Sequence, residues 1–287
     1  MTSYVALLGD PVAGNPTSQM QNAAFRSAGL DWWYLDIRVE AGRLGDAVQA
    51  ARVLRFGGLN LTTPHKIAVI PLLDGLERSA EISGAVNTVR LDPDGGLIGL
   101  NTDGLGFLHA LRDAKVDPAG TTVVLLGAGG AARAVAVELA LAGVARIVVA
   151  SRSAGRREEL VSMIVERTPA QSSGLDWPAE PELPPCDLLV HCTPIGMGTG
   201  EPAERVPPVR LEALSPETVV CDLNPDRAES AFLRKARTMG HRTLGGLPML
   251  ARQGAAGFEA WTGHTAPLQL MIDELEQVTG GTGEGTP

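Results

Sequence analysis

The chain has 287 residues and a mass of 30.0 kDa, enough for two ordinary domains. With 44% hydrophobic and 20% charged residues, its composition is globular and excludes a disordered chain. A net charge of −9 argues against a protein whose affinity rests on neutralising nucleic-acid phosphates.

Short β-type runs alternate with helix-length segments, the pattern of an α/β protein. Tyr4–Gly9, Trp33–Val39 and Gly58–Leu61 read as strands, with helical patterns over Ser18–Ala28 and Gly42–Val53 between them. Trp32 and Trp33 are expected to pack rather than to stack on a ligand. A hairpin follows, Val86–Leu91 and Leu97–Leu100, turned by Asp94-Gly95-Gly96. A helix near Gly104–Asp117 leads into a second domain. From there the strands are apolar throughout: Thr122–Leu126, Arg146–Ala150, Asp187–Cys192 and Thr218–Asp222. Such runs suit a parallel sheet covered on both faces. Helices are expected at Ala131–Ala142, Gly155–Arg167 and Ala228–Met239, and Ser172–Pro185 reads as a surface loop. Two last helices, Pro248–Thr262 and Pro267–Thr279, exceed what a Rossmann half needs and are expected to return to the first domain. The expected domains are residues 1–105 with 246–279, and residues 106–245, followed by a disordered tail at 280–287.

Cys186, Cys192 and Cys221 cannot all pair and form no CxxC, so reduced thiols are expected and a metal site is not. The first residues lack a basic, apolar leader, and no apolar run approaches the ~20 residues of a membrane span. A soluble, cytoplasmic protein is expected. Nothing in the sequence decides the oligomeric state.

Gly127-Ala128-Gly129-Gly130-Ala131-Ala132 places G-x-G-x-x-A after an apolar strand and at the head of an Ala-rich helix. Glycines permit the tight turn and the approach of a pyrophosphate, and the helix N-terminus offers N–H groups and partial positive charge. The next strand ends in Ala150-Ser151-Arg152-Ser153-Ala154-Gly155-Arg156, with no carboxylate before Glu158. A carboxylate there would hold the ribose hydroxyl of NAD, whereas arginines attract a 2′-phosphate, so NADP is preferred over NAD.

Three polar patches close strands in the first half: Asn60-Leu-Thr62-Thr63-Pro64-His65-Lys66, Asn87-Thr88 and Asn101-Thr102-Asp103-Gly104. Amides and hydroxyls in such places suit a polyhydroxylated ligand, and one Lys with one Asp offers a proton-transfer pair. Each patch alone is also ordinary turn chemistry. Only Lys66, Lys115 and Lys235 are lysines among 24 basic residues. An arginine at position 66 could bind an oxygen but could hardly give up a proton. His65 and His109 are read as structural, and His191, inside an apolar strand, as a satisfied core or cleft histidine.

Together these segments resemble the shikimate dehydrogenases. The resemblance rests on Gly57–Lys66, Gly84–Thr88, Asn101–Gly104, the loop Gly127–Arg133, Cys192-Thr193-Pro194-Ile195-Gly196-Met197, and Met249–Gly254 through Phe258–Gly263, in that order over roughly residues 5 to 278. It implies an α/β fold with a mixed-sheet substrate domain, a Rossmann domain and C-terminal helices returning to the first. It also implies reduction of 3-dehydroshikimate with NADPH in aromatic amino acid biosynthesis. By the same resemblance Lys66 and Asp103 are the catalytic pair. Asn60, Asn87, Gln253 and Thr62 bind substrate, and Ser151, Arg152, Arg156, Thr193, Gly196, Met197 and Gly246 join the glycine loop around the cofactor. The ligand implied is a hydroxylated cyclohexene or cyclohexane carboxylate.

Two departures bear on the substrate. The family's serine pair for the substrate carboxylate is replaced by Asn15 and Thr17, which are carried over as substrate-binding positions. Pro225 stands where a tyrosine is usual. A quinate or aminoshikimate dehydrogenase of the same family and a non-catalytic nucleotide sensor are the alternatives. A methylenetetrahydrofolate dehydrogenase would share the two-domain plan without explaining Asn101–Gly104 or Gln253.

Overall fold

A computed structural model describes residues 2–177, 182–197, 204–225 and 229–280. The chain divides into two compact units, one comprising the residues up to Gly106 and from Ala251 onward, the other Phe107–Leu250.

The first unit is built on strands β1 (Ser3–Gly9), β2 (Trp32–Arg38), β3 (Gly58–Leu61), β4 (Gly75–Leu76), β5 (Thr88–Leu91) and β6 (Leu97–Leu100). Helices α1 (Thr17–Ser27), α2 (Leu44–Val53), α3 (His65–Ala68) and α4 (Arg78–Ser83) connect them. The strands form one mixed sheet in the order β2-β1-β3-β5-β6-β4, parallel at β2-β1-β3 and antiparallel through β3-β5-β6. The register aligns Asn60 with Thr88 and Thr88 with Leu100. The carboxyl ends of β3 and β6 and the start of β5 therefore meet on one edge. Ala6, Leu8, Leu59, Leu61, Val89 and Leu97 fill the core beneath α2.

Helix α5 (Thr102–Asp113) contains the first unit boundary. The second unit carries β7 (Thr122–Leu126), α6 (Gly130–Leu141), β8 (Arg146–Ser151), α7 (Ala154–Arg167) and β9 (Gln171–Asp176). It continues with β10 (Leu188–His191), β11 (Val219–Asp222), α8 (Ala231–Thr238) and β12 (Thr243–Leu244). The sheet is parallel throughout, in the order β12-β11-β10-β7-β8-β9. That is the doubly wound order, whose ligand crevice lies at the carboxyl ends where the order reverses, between β7 and β10. β7 and β10 are buried almost throughout, as a sheet covered on both faces requires.

Helix α9 (Gly246–Thr262) contains the second boundary, and α10 (Leu268–Gly280) packs on α1 in the first unit. Trp261 on α9 donates its indole N–H to Val89 O at 3.0 Å, which ties the returning chain to β5.

Two expectations are corrected. Residues 172–176, the start of the expected loop, belong to the edge strand β9, paired in register with β8 from Arg146↔Gln171 to Ser151↔Asp176. Ser-Ser-Gly has weak strand propensity, so tertiary pairing decides here. Residues 178–181 of that expected loop lie outside the described residues. Trp33 does not pack inward: it is 53% exposed on β2, whereas Trp32 tilts against Phe25 at 5.7 Å between centroids. Alternation along the strand sends neighbouring side chains to opposite faces. Of the tail expected over 280–287, Gly280 closes α10 and the rest lies outside the described residues, as does Ala228.

Candidate active site

The polar edge of the mixed sheet begins with β3. His65, the first residue of α3, is fully buried, and its Nε2 lies 2.7 Å from Val39 O. That anchor and the bond from Val86 N to Lys66 O fix the backbone on either side of the lysine side chain. The Lys66 ammonium donates to Asp103 Oδ2 at 2.6 Å, with the lysine side chain 34% and the aspartate 17% exposed. One hydrogen of the ammonium is thereby used, and two remain.

Asp103 sits in the first turn of α5 and is braced from behind. Asn87 Nδ2 donates to Asp103 Oδ1 at 2.8 Å and to Thr102 Oγ1 at 2.9 Å, while Asn87 Oδ1 accepts the Thr102 backbone N–H at 2.7 Å. Asn101 Oδ1 accepts the Asp103 N–H at 3.2 Å. Gln253 Oε1 is 3.3 Å from both Asn87 Nδ2 and Thr102 Oγ1. Its amide nitrogen has no partner among the described residues and is the donor the cluster leaves open. The Thr62 hydroxyl, one turn before Lys66, likewise has no hydrogen bond among the described residues.

Asn60 is differently placed. Its Nδ2 donates to Asn87 O and Thr88 Oγ1, both at 2.9 Å, and its Oδ1 accepts the Tyr34 hydroxyl at 2.7 Å. Both amide hydrogens are used inside the protein, so Asn60 shapes the cluster from beneath. Tyr34 was not visible as a site residue in the sequence. Burial, with Asp36 adding a smaller push, holds its phenol well above the usual range, which keeps the hydroxyl a donor. Asn22 on α1 grips the Tyr34 backbone through both its N–H and its carbonyl, at 2.8 and 3.0 Å.

Asn15 and Thr17 lie at the start of α1. Asn15 Oδ1 accepts the Thr17 N–H at 2.9 Å, an Asx turn leading into α1, and Thr17 is buried. The Asn15 side chain thus keeps its amide hydrogens while giving its oxygen to the backbone. Pro225 follows β11 in the second unit.

In the second unit, Gly127 closes β7 with φ +120°, and a Cβ there would stand 3.0 Å from Thr193 Cγ2 and 3.1 Å from Cys192 O. Only a residue without a side chain lets the two turns approach so closely. At Gly129 and Gly130 a Cβ would meet nothing within 4 Å. The chain therefore leaves open space against the N-terminus of α6, where Ala128 and Gly129 are half-buried and Gly130 and Ala131 exposed. That cradle, with its N–H groups and partial positive charge, fits a pyrophosphate.

At the end of β8, Ser151 Oγ accepts the Ser153 N–H at 3.2 Å. Arg157 is drawn to Asp176, Glu158 and Ser151 O. Arg152 and Arg156 are exposed and take part in no ion pair among the described residues. Two uncommitted guanidinium groups fit a 2′-phosphate. Gly196 turns the segment after β10 with φ +79°, and the Met197 N–H bonds Pro194 O at 3.0 Å. Gly246 lies against Leu223 O and Asn224 O, 2.6 and 2.7 Å from where a Cβ would be.

His191 is a satisfied core histidine, bonded to Asp222 and Thr193. Burial pushes the Cys186 thiol up to about 12 and raises Cys192 and Cys221 as well, so none is a thiolate nucleophile at neutral pH. Among the described residues no three His, Cys, Asp or Glu side chains gather to hold a metal, and no helix is long and apolar enough to cross a membrane.

The chain matches the model of the shikimate dehydrogenase substrate binding domain over residues 7–89 and that of the shikimate 5′-dehydrogenase C-terminal domain over residues 246–276. It is 41% identical over 280 residues to the shikimate dehydrogenase (NADP(+)) of Desulforamulus reducens, covering 96% of this chain and 95% of that protein. With its counterpart of the same name in Methanopyrus kandleri it shares 44% identity over 278 residues, at 96% and 95% coverage. Among solved structures, the ligand-free 5-ketofructose reductase of Gluconobacter sp. strain CHM43 superposes with a TM-score of 0.92 at 42% identity, covering 97% and 99% of the two chains. Shikimate 5-dehydrogenase from Listeria monocytogenes, in complex with shikimate and NAD, gives 0.89 at 31% identity and 96% coverage of each.

Proposed function

The chain belongs to the shikimate dehydrogenase family, and on that premise we propose that it catalyses the reversible, NADP-dependent reduction of 3-dehydroshikimate to shikimate. The observation that carries this reading is the Lys66–Asp103 pair at 2.6 Å, braced by Asn87 and flanked by the open amide nitrogen of Gln253.

NADPH, when bound, supplies the hydride to the carbonyl carbon. Lys66 gives one ammonium proton to the carbonyl oxygen as it becomes a hydroxyl, and in the oxidation of shikimate takes that proton back. Asp103 holds the ammonium in place and accepts a hydrogen bond from the same hydroxyl. Gln253, through its open N–H₂, and Thr62, through its hydroxyl, bind ring oxygens, and Asn87 fixes Asp103 and Gln253 at the right separation. Asn60 acts through Asn87 and Thr88 rather than on the ring. Asn15, with its amide hydrogens uncommitted, and Thr17 receive the carboxylate. The loop Gly127–Ala131 would cradle the pyrophosphate, Ser151, Arg152 and Arg156 would hold the 2′-phosphate end, and Thr193, Gly196, Met197 and Gly246 would serve the nicotinamide end. The first unit is thus the substrate domain and the second the NADP domain of a cytoplasmic enzyme.

A second reading is supported at Asn15. Its oxygen occupies the N–H at the head of α1, and no cation other than Lys66 stands in the described cluster. A neutral polyhydroxylated ketone, of the kind named for the Gluconobacter reductase, asks for no carboxylate anchor. Steady-state kinetics with shikimate, quinate, aminoshikimate and 5-ketofructose, each with NADP and NAD cofactors, decide between the readings through kcat/KM. The highest value with shikimate and NADP is expected. A higher value with the ketose would replace the substrate, and no turnover with any would remove the enzyme reading.

A further inference from the structure

Beneath the turn Cys192–Met197 lies a polar chain that the catalytic reading leaves unused. His191 is fully buried at the end of β10, its ring steeply inclined to that of Phe232 at 5.5 Å between centroids. Its Nδ1 is 3.0 Å from Asp222 Oδ1 and its Nε2 2.6 Å from Thr193 Oγ1. Asp222, 1% exposed, also accepts the Ser230 hydroxyl at 2.6 Å and the Asn224 N–H at 3.1 Å. Ser230 in turn caps α8 by accepting the Leu233 N–H.

The bonds have a direction. Nδ1 faces a carboxylate oxygen and carries the hydrogen, which leaves Nε2 to accept the Thr193 hydroxyl proton. Thr193 Oγ1 keeps a lone pair for the Ile195 N–H at 3.3 Å. The Ile195 carbonyl is held from the other side by Asn224 Nδ2 at 3.0 Å. On its remaining face, the Thr193 methyl lies against the place where Gly127 has no side chain. Thr193 is therefore fixed between the phosphate loop and a buried imidazole that is itself pinned by a carboxylate.

We propose that His191, oriented by Asp222, is a positioning residue that sets the Thr193 turn against the glycine loop for NADPH binding. This rests on the nucleotide reading of the second unit and is independent of which ring compound is reduced. Removing the imidazole frees the Thr193 side chain to rotate, and the turn loses its seat without any loss of a direct ligand contact.

The test is a fluorescence titration of NADPH into the protein without second substrate, for Thr193→Val, His191→Leu, the double variant and His191→Asn. Each of the first two should weaken NADPH binding about tenfold, the loss of roughly one hydrogen bond, and the double variant should be no weaker than either. His191→Asn, whose amide offers one donor and one acceptor as the imidazole does, should recover most of the affinity. At saturating NADPH the KM for 3-dehydroshikimate should stay unchanged in His191→Leu and His191→Asn. Should His191→Leu fail to fold, Thr193→Val and His191→Asn still decide the matter. NADPH affinity retained in Thr193→Val, or losses that multiply in the double variant, would overturn the proposal. A parent protein that binds no NADPH removes the proposal together with the nucleotide reading, whereas one that binds NADPH but reduces no shikimate-type ketone leaves it standing.

Discussion

Along the carboxyl edge of the mixed sheet, Lys66, Asp103, Asn87, Thr102 and Gln253 bond one another, and only a few donors are left over. Along the carboxyl edge of the parallel sheet, Arg152 and Arg156 are exposed without acidic partners among the described residues, and Gly129 and Gly130 border open space. The contrast follows from the tasks proposed for the two edges. Proton transfer needs a lysine held at one angle before the substrate arrives, so its surroundings are satisfied in advance. Holding a phosphate needs positive charge that nothing else has claimed. Substitutions should therefore be coupled and act on kcat in the first region. In the second they should be separable and act on cofactor affinity.

The largest effect expected is from Lys66→Met. Loss of a positioned general acid costs about 10²–10⁴-fold in kcat, with KM little changed because the binding amides remain. Near-parent kcat would remove the lysine from the chemistry and break the comparison at its first half. Next, Arg152→Gln with Arg156→Gln should raise the KM for NADPH by roughly 10–100-fold per lost charge-assisted contact while leaving that for NADH unchanged. Equal losses with both cofactors would mean that the arginines act on the fold rather than on the 2′-phosphate.

Gly127→Ala comes third. A side chain at φ +120° is strained, and its methyl would press on Thr193 and Cys192 O. A penalty of about 1–3 kcal/mol, or about 5–150-fold in NADPH affinity, is expected from titration. Unchanged affinity would show that the glycine loop and the Thr193 turn are not coupled.

The same contrast explains what could be read from the sequence. The glycine loop and the arginines after β8 are local signals, because each works through groups close together in the chain. The apolar strands of the second unit were also legible, since burial on both faces needs no alternation. β9 was not, because Gln171–Asp176 becomes a strand only through pairing with β8. In the first unit, Lys66, Asp103 and Asn87 were legible as motif residues, but their order of action was not. Asn60 looks like a ligand group in the sequence, yet the partners that use up its amide, Tyr34 and Thr88, lie 26 and 28 residues away. Likewise His191 gains its meaning from Asp222, 31 residues on. Trp33 and Trp32 are indistinguishable by composition, and only which face of the sheet each one meets leaves Trp33 exposed.

Tyr34→Phe gives the smallest effect and the finest test of coupling. The change removes one buried hydroxyl, the donor to Asn60 Oδ1, and leaves the ring packed near Trp261 at 6.1 Å between centroids. An unpaired buried acceptor costs about 1–3 kcal/mol, which urea unfolding will register. If the cluster is a single network, Asn60 will relax, Asn87 will follow, and the Lys66–Asp103 pair will lose part of its alignment. A fall in kcat of about fivefold at unchanged NADPH affinity is then expected, which is about 1 kcal/mol and the lower end of that energy. If stability falls while kcat holds, Asn60 and Tyr34 support only the sheet, and the coupled region ends at Asn87. Combining Tyr34→Phe with Asn87→Ala separates the cases. In one network the second change finds the alignment already lost and adds little, whereas independent sites multiply their losses.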